Sequence, residues 1–133
     1  MFRKKQPYKK IISVDFDGVI HGYTSGWQGM DVVEDAPVPG AMAWLYDIHE
    51  RFDIQIYSSR SKSVLGRRAM QKWLKHHLER ELGAHWYKVY RHIKWPWFKP
   101  AAFLTIDDRA MRFTGQFPEV RDINGFKTWQ QGK

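Results

Sequence analysis

This chain of 133 residues predicts a three-layer α/β domain whose central, mostly parallel sheet has about five strands. Three observations carry that prediction. Short apolar runs alternate with helical patterns, as in strand–helix–strand crossovers. The runs at 11–16, 52–57 and 103–106 end abruptly in polar side chains: Asp15 and Asp17, Ser58 and Ser59, Asp107 and Asp108. Hydrophobic residues make up 43% and aromatic residues 16%, seven of them Trp, enough for one real core.

The elements follow in order. Residues 1–10 read as a basic arm, with Lys9 and Lys10 leading into a first strand over 11–16. Residues 18–39 show no helical period and are punctuated by Gly and Pro, which predicts a flap loop beside the strand ends. Tyr23 and Trp27 give that flap rings to pack or stack. Pro39 and Gly40 open a helix with Trp44, Leu45 and Ile48 at core spacing. A second strand covers 52–57. A long basic helix over 63–82 sets Leu65, Ala69, Met70, Trp73, Leu74 and Leu78 on or near one face and stops at Gly83. Residues 86–90 predict a third strand, 95–100 an irregular aromatic segment, 103–106 a fourth strand and 120–123 a fifth. A last short helix is expected over 126–130. No repeat or linker divides the chain, so 1–133 is expected to be a single domain.

Composition limits the partners. Twenty-two basic against 14 acidic residues leave a charge of +8, which favours a phosphorylated substrate, a nucleotide or nucleic acid. No apolar run approaches the ~18 residues needed to span a bilayer, so no membrane partner is expected. With no cysteine, disulfides and thiolate metal sites are excluded, and the composition suits a reducing cytoplasm. Oligomeric state is left open.

The chemistry concentrates at the strand ends. In a strand, Asp15 and Asp17 share one side while Phe16 faces the other. Two carboxylates crowded there call for a cation between them or for different protonation states. With Asp107 and Asp108 they form an oxygen-only donor set, which suits a hard cation such as Mg²⁺. An Asp before Arg109 also suits a helix N-cap, and one residue can do both jobs. Ser58, directly after a strand, is placed to hold a phosphoryl oxygen or to cap the next helix. Lys99, fixed ahead of Pro100, offers a cation to a transferring phosphoryl group. Gly18, Ser59, Arg60 and Trp27 are candidate substrate contacts. Trp27, Trp95 and Trp97 read equally as base-stacking rings or as core or interface packing. Arg60, Arg67, Arg68, Lys72 and Lys75 read as a polyanion-steering stripe or as a solvated helix face. His76, His77, His85 and His92 lack metal-ligand spacing.

Four motifs in this order resemble the haloacid dehalogenase superfamily of phosphotransferases. They are Val14-Asp15-Phe16-Asp17-Gly18-Val19-Ile20, Ile56-Tyr57-Ser58-Ser59-Arg60, Lys99-Pro100 and Thr105-Ile106-Asp107-Asp108. The resemblance spans nearly the whole chain. It implies a Rossmann-like domain in which Asp15 is the nucleophile that forms an aspartyl-phosphate and Asp17 the general acid and base. Ser58 and Lys99 would contact the phosphoryl group. Mg²⁺ would be held by Asp15, the backbone carbonyl of Asp17 and Asp107, with Asp108 in support. The intervals between motifs are filled by the flap, helices and strands, so no cap domain is expected and the site should be open. The implied activity is a Mg²⁺-dependent phosphomonoester hydrolase acting on a nucleotide or nucleic-acid end. The rival expectation is a nucleic-acid-binding module on a catalytically idle fold of the same kind.

Overall fold

The first apolar run forms β1 (Ile11–Val14), the middle strand of a parallel sheet in the order β2–β1–β3. Its neighbours are β2 (Asp53–Ile56) and β3 (Leu104–Ile106). The structure, a computed structural model, describes residues 8–132, so most of the expected basic arm lies outside the described residues. Val14 pairs in register with Ile56 on one side and Ile106 on the other. All three strands therefore end at one level. The polar residues that follow them, Asp15, Ser58 and Asp107, emerge at the same carboxyl rim, where open α/β sheets bind ligands.

Helix α1 (Ala41–Ile48) connects β1 to β2, and α2 (Val64–Leu82) follows β2. The two helices pack on each other and so cover the same side of the sheet. Ser63 caps α2 by accepting the Gly66 N–H at 3.2 Å, and Gly83 ends it as expected. Gly66 has a further reason to be glycine. A Cβ there would sit 2.4 Å from the Arg60 carbonyl oxygen, so only hydrogen lets α2 lie against the turn that carries Arg60. Met70, Trp73, Leu74 and Leu78 are buried against Ile12, Val14, Ile54, Ile56, Met42 and Leu45. Leu65, expected on that face, is 60% exposed.

Several expectations are corrected. Among the described residues the sheet has three strands, where about five are expected. Residues 86–90, read as a strand, form helix α3 (Trp86–Tyr90), which packs along α2. Val89 is buried, with Trp86 and Tyr90 half-buried beside it. Spacings of three and four residues fit a helix as well as alternation fits a strand, and the surface of α2 decides between them. What remains of a further strand is a single parallel bridge between Lys94 and Gln55. Residues 120–123, also read as a strand, lie in α4 (Val120–Asn124), which buries none of its residues. The expected helix over 126–130 is replaced by turns. The return from Lys94 to β3 carries no helix, and Phe103 and Leu104 are left largely exposed. The second helical layer of a three-layer fold is thus not built over β3. No helix among the described residues is long and apolar enough to cross a membrane.

Candidate active site

Asp15 follows β1 directly, and its N–H donates to the Ile106 carbonyl at 2.9 Å, which ties it to the end of β3. That tie brings its carboxylate to Asp107 and Asp108. One oxygen from each of the three lies within 4.8 Å of the others. Burial pushes the Asp15 carboxyl up to about 8, and the charges of Asp107 and Asp108 push the same way, against a backbone N–H that stabilises the anion. The arrangement is unbalanced without a positive charge. Three oxygen donors at this spacing fit a hard divalent cation. Asp107 also accepts the Arg109 N–H at 2.8 Å, but no helix starts there, so the expected N-cap is replaced by a local turn. Asp108, expected only in support, stands in the triad itself.

Gly18 makes room for this cluster. Its φ is +84°, and a Cβ would fall 2.2 Å from Asp108 Oδ2. Gly18→Ala is expected to displace Asp108 and weaken Mg²⁺ binding at least tenfold, as read by calorimetric titration. Unchanged affinity would mean that Asp108 is not a ligand.

Asp17 has different partners. Its Oδ1 lies 2.8 Å from His21 Nδ1 and its Oδ2 accepts from Arg60 Nε at 2.9 Å. His21 Nε2 in turn accepts the Asp35 N–H at 3.0 Å. The ring's proton therefore sits on Nδ1 and is donated to Asp17. Burial alone would raise the Asp17 carboxyl, but the hydrogen bonds from His21 and Arg60 and the charge of Arg60 outweigh it and hold the group below its usual range. A carboxyl lowered on folding adds stability above the unfolded value near 3.8, which is lost as pH falls through the folded value. Asp17→Asn should therefore flatten the acid limb of a pH–Tm profile below about pH 4. An unchanged limb would exclude this pairing.

Arg60 departs most from its expectation. The sequence predicts a surface contact for substrate or polyanion, whereas the side chain is fully buried. Besides Asp17, its Nη1 donates to the carbonyls of Gly29 and Met30 at 2.9 and 2.8 Å. The Trp27 ring lies over its guanidinium, with Cζ 4.7 Å from the ring centroid, and the Trp27 side chain stays half exposed. Arg67 likewise turns from the expected stripe. It donates to the Trp95 carbonyl and stacks on Trp97 at 3.9 Å.

Ser58 is buried and caps the short 3₁₀ turn Ser59–Lys62, its hydroxyl accepting the Arg60 N–H at 3.2 Å. Since the hydroxyl accepts there, its proton remains to be donated. Ser59 is exposed, as is Lys99, which makes no ion pair with the acids among the described residues. His21, Asp35 and Trp129 were missed by sequence reasoning. His21 stands four residues after Asp17, a spacing that means little before the loop's path is known. Trp129 reaches back across 111 positions to donate its indole N–H to the Gly18 carbonyl at 2.8 Å.

Fold and site together define an α/β domain with an oxygen-only acid triad at the carboxyl rim of a parallel sheet. No protein-family model, curated protein or solved structure matches the chain.

Proposed function

We propose that the protein is a Mg²⁺-dependent phosphomonoester hydrolase working through an aspartyl-phosphate. The single observation that supports this best is the meeting of Asp15, Asp107 and Asp108 around a space for one cation. Asp15, Asp107 and Asp108 would hold Mg²⁺, with the Asp17 carbonyl as the further ligand that the family resemblance implies. When bound, the cation offsets the repulsion between carboxylates and a phosphate dianion.

The chain's own residues supply the rest. An Asp15 oxygen forms a bond to phosphorus as the bond to the leaving oxygen breaks, and Asp17 gives that oxygen its proton. Water then attacks phosphorus, Asp17 takes the proton back, and the Asp15–phosphorus bond breaks to free inorganic phosphate. Arg60 and His21 keep Asp17 in place and favour its ionised form, which the second step uses. An arriving phosphate dianion opposes them and favours the protonated form, which the first step uses. Ser58 and Lys99 are assigned to the phosphoryl oxygens, and Ser59 to the rim. A nucleotide or nucleic-acid end suits the +8 charge.

Hydrolysis of p-nitrophenyl phosphate tests the reading. Turnover should require Mg²⁺ and stop with chelator. No turnover with any divalent ion would overturn it. The nucleic-acid-binding alternative is weakened by Arg60 and Arg67, which leave only Arg68, Lys72 and Lys75 of its five cations exposed on or near α2. It would require affinity for DNA that falls steeply with salt and ignores Asp15→Asn.

A further inference from the structure

The turn at residues 128–131 packs back onto the loop after β1. Thr128 is buried at 4% exposure, and its N–H donates to Gln131 Oε1 at 3.1 Å, which shapes a tight strap. Two side chains fasten that strap to the loop after β1. Trp129 holds the Gly18 carbonyl, and Gln130 Nε2 donates to the Gly22 carbonyl at 2.8 Å. Between strap and loop lies a cavity of about 360 Å³ lined by Tyr23, Asp108, Arg109, Thr128, Gln130 and Gln131. It shares Asp108 with the acid triad. A molecule in the cavity would therefore touch one side chain of the proposed cation site.

The lining describes its occupant. One group of each carboxamide holds the strap, which leaves Gln130 Oε1 and Gln131 Nε2 as an acceptor and a donor for the edge of a base. Tyr23 supplies an aromatic face. It is the only described residue other than glycine with a positive φ, +61°, a conformation that costs a bulky side chain and persists where surrounding structure imposes it. Arg109 adds positive charge at the mouth, and Asp108 is the only carboxylate. The volume lies at the small end of ligand sites and fits one nucleoside, not a run of them.

We propose that the strap Thr128–Gln131 builds a leaving-group pocket for the nucleoside of a nucleoside monophosphate group, with Tyr23 and Gln131 setting specificity. This rests on the hydrolase reading for its catalytic consequence and on the cavity for its binding consequence. The chemistry is the same whether the group is a free nucleotide or the end of an oligonucleotide.

Four probes separate the possibilities: AMP, a 5′-phosphorylated oligonucleotide, glucose 6-phosphate and p-nitrophenyl phosphate. Wild-type kcat/KM should favour AMP or the oligonucleotide over p-nitrophenyl phosphate by tenfold or more, and the better of the two identifies the source. Gln131→Ala and Tyr23→Asn should each lower that ratio about tenfold. Asparagine tolerates the left-handed backbone at 23, so this variant tests the ring without breaking the turn. An unchanged ratio in both variants, or preference for glucose 6-phosphate, overturns the pocket. Equilibrium binding of AMP to Asp15→Asn with Mg²⁺, repeated with each pocket substitution added, keeps the two readings apart. Binding that the substitutions weaken, without turnover in wild type, would remove the hydrolase and keep the pocket. Aryl phosphate turnover without preference for either nucleotide probe would keep the hydrolase and remove the pocket.

Discussion

Asp15→Asn should lower phosphomonoester hydrolysis by about 10⁴-fold or more, because the amide cannot form the acyl phosphate on which the second step depends. The same substitution should stabilise the metal-free protein. Burial and the charges of Asp107 and Asp108 raise the Asp15 carboxyl from 3.8 to about 8. Between those values the folded state binds more protons than the unfolded chain, so stability falls as pH rises through that window. The expected loss is at most a few kcal/mol for one group with this shift. A pH–Tm series without divalent ions should therefore decline from about pH 4 to 8 in wild type and be flatter in Asp15→Asn. Added Mg²⁺ should restore wild type and do little for the variant. A variant that keeps its activity would refute Asp15 as nucleophile. A wild-type profile flat over that window would refute the crowding of the three acids.

Arg60→Met should give the largest loss of stability. It removes a fully buried cation that pairs with Asp17 and caps the carbonyls of Gly29 and Met30. Methionine fills much of the volume but leaves a part-buried carboxylate and two carbonyls unpaired. Breaking a buried pair from one side costs about 3–5 kcal/mol. In a domain of this size that lowers Tm by roughly 10–20 °C. Arg60→Lys should recover only part, since an ammonium cannot reach the carboxylate and both carbonyls as the planar guanidinium does. Adding Asp17→Asn to Arg60→Met should cost less than the two single losses summed, because each already breaks the same pair. Thermal melts of the four proteins decide it. Additive losses would mean that the two side chains act independently.

His21 extends this unit. It spends its proton on Asp17 and its lone pair on the Asp35 N–H, while Asp35 is itself held by Ser25 through its N–H at 2.8 Å and its hydroxyl at 2.6 Å. The flap is therefore fastened to the acid from both of its arms, by Asp35 through His21 and by Gly29 and Met30 through Arg60. An exposed flap would have left Asp17 solvated. The buried partners give it one orientation.

Local chemistry made much of this molecule legible from the chain alone. Apolar runs ending in Asp15, Ser58 and Asp107 announced three parallel strands, because short apolar runs that alternate with helical patterns are the mark of strand–helix–strand crossovers. Gly83 and the apolar spacing before it marked α2 almost to the residue, since stop signals and helical periodicity act over a single turn. The acid triad was also foreseeable, because oxygen-only donors at neighbouring strand ends have few uses besides a hard cation. Other features rest on contacts between distant segments, which no local pattern encodes. Residues 86–90 are β-prone in composition but became helical against α2. Arg60 and Arg67 read as solvated cations until carbonyls and Trp rings from elsewhere enclosed them. The different surroundings of Asp15, beside two anions, and Asp17, beside His21 and Arg60, came from the fold. So did the return of Trp129 to Gly18. Charge pairing and burial depend on which surfaces meet, and that is settled only when the whole chain has closed on itself.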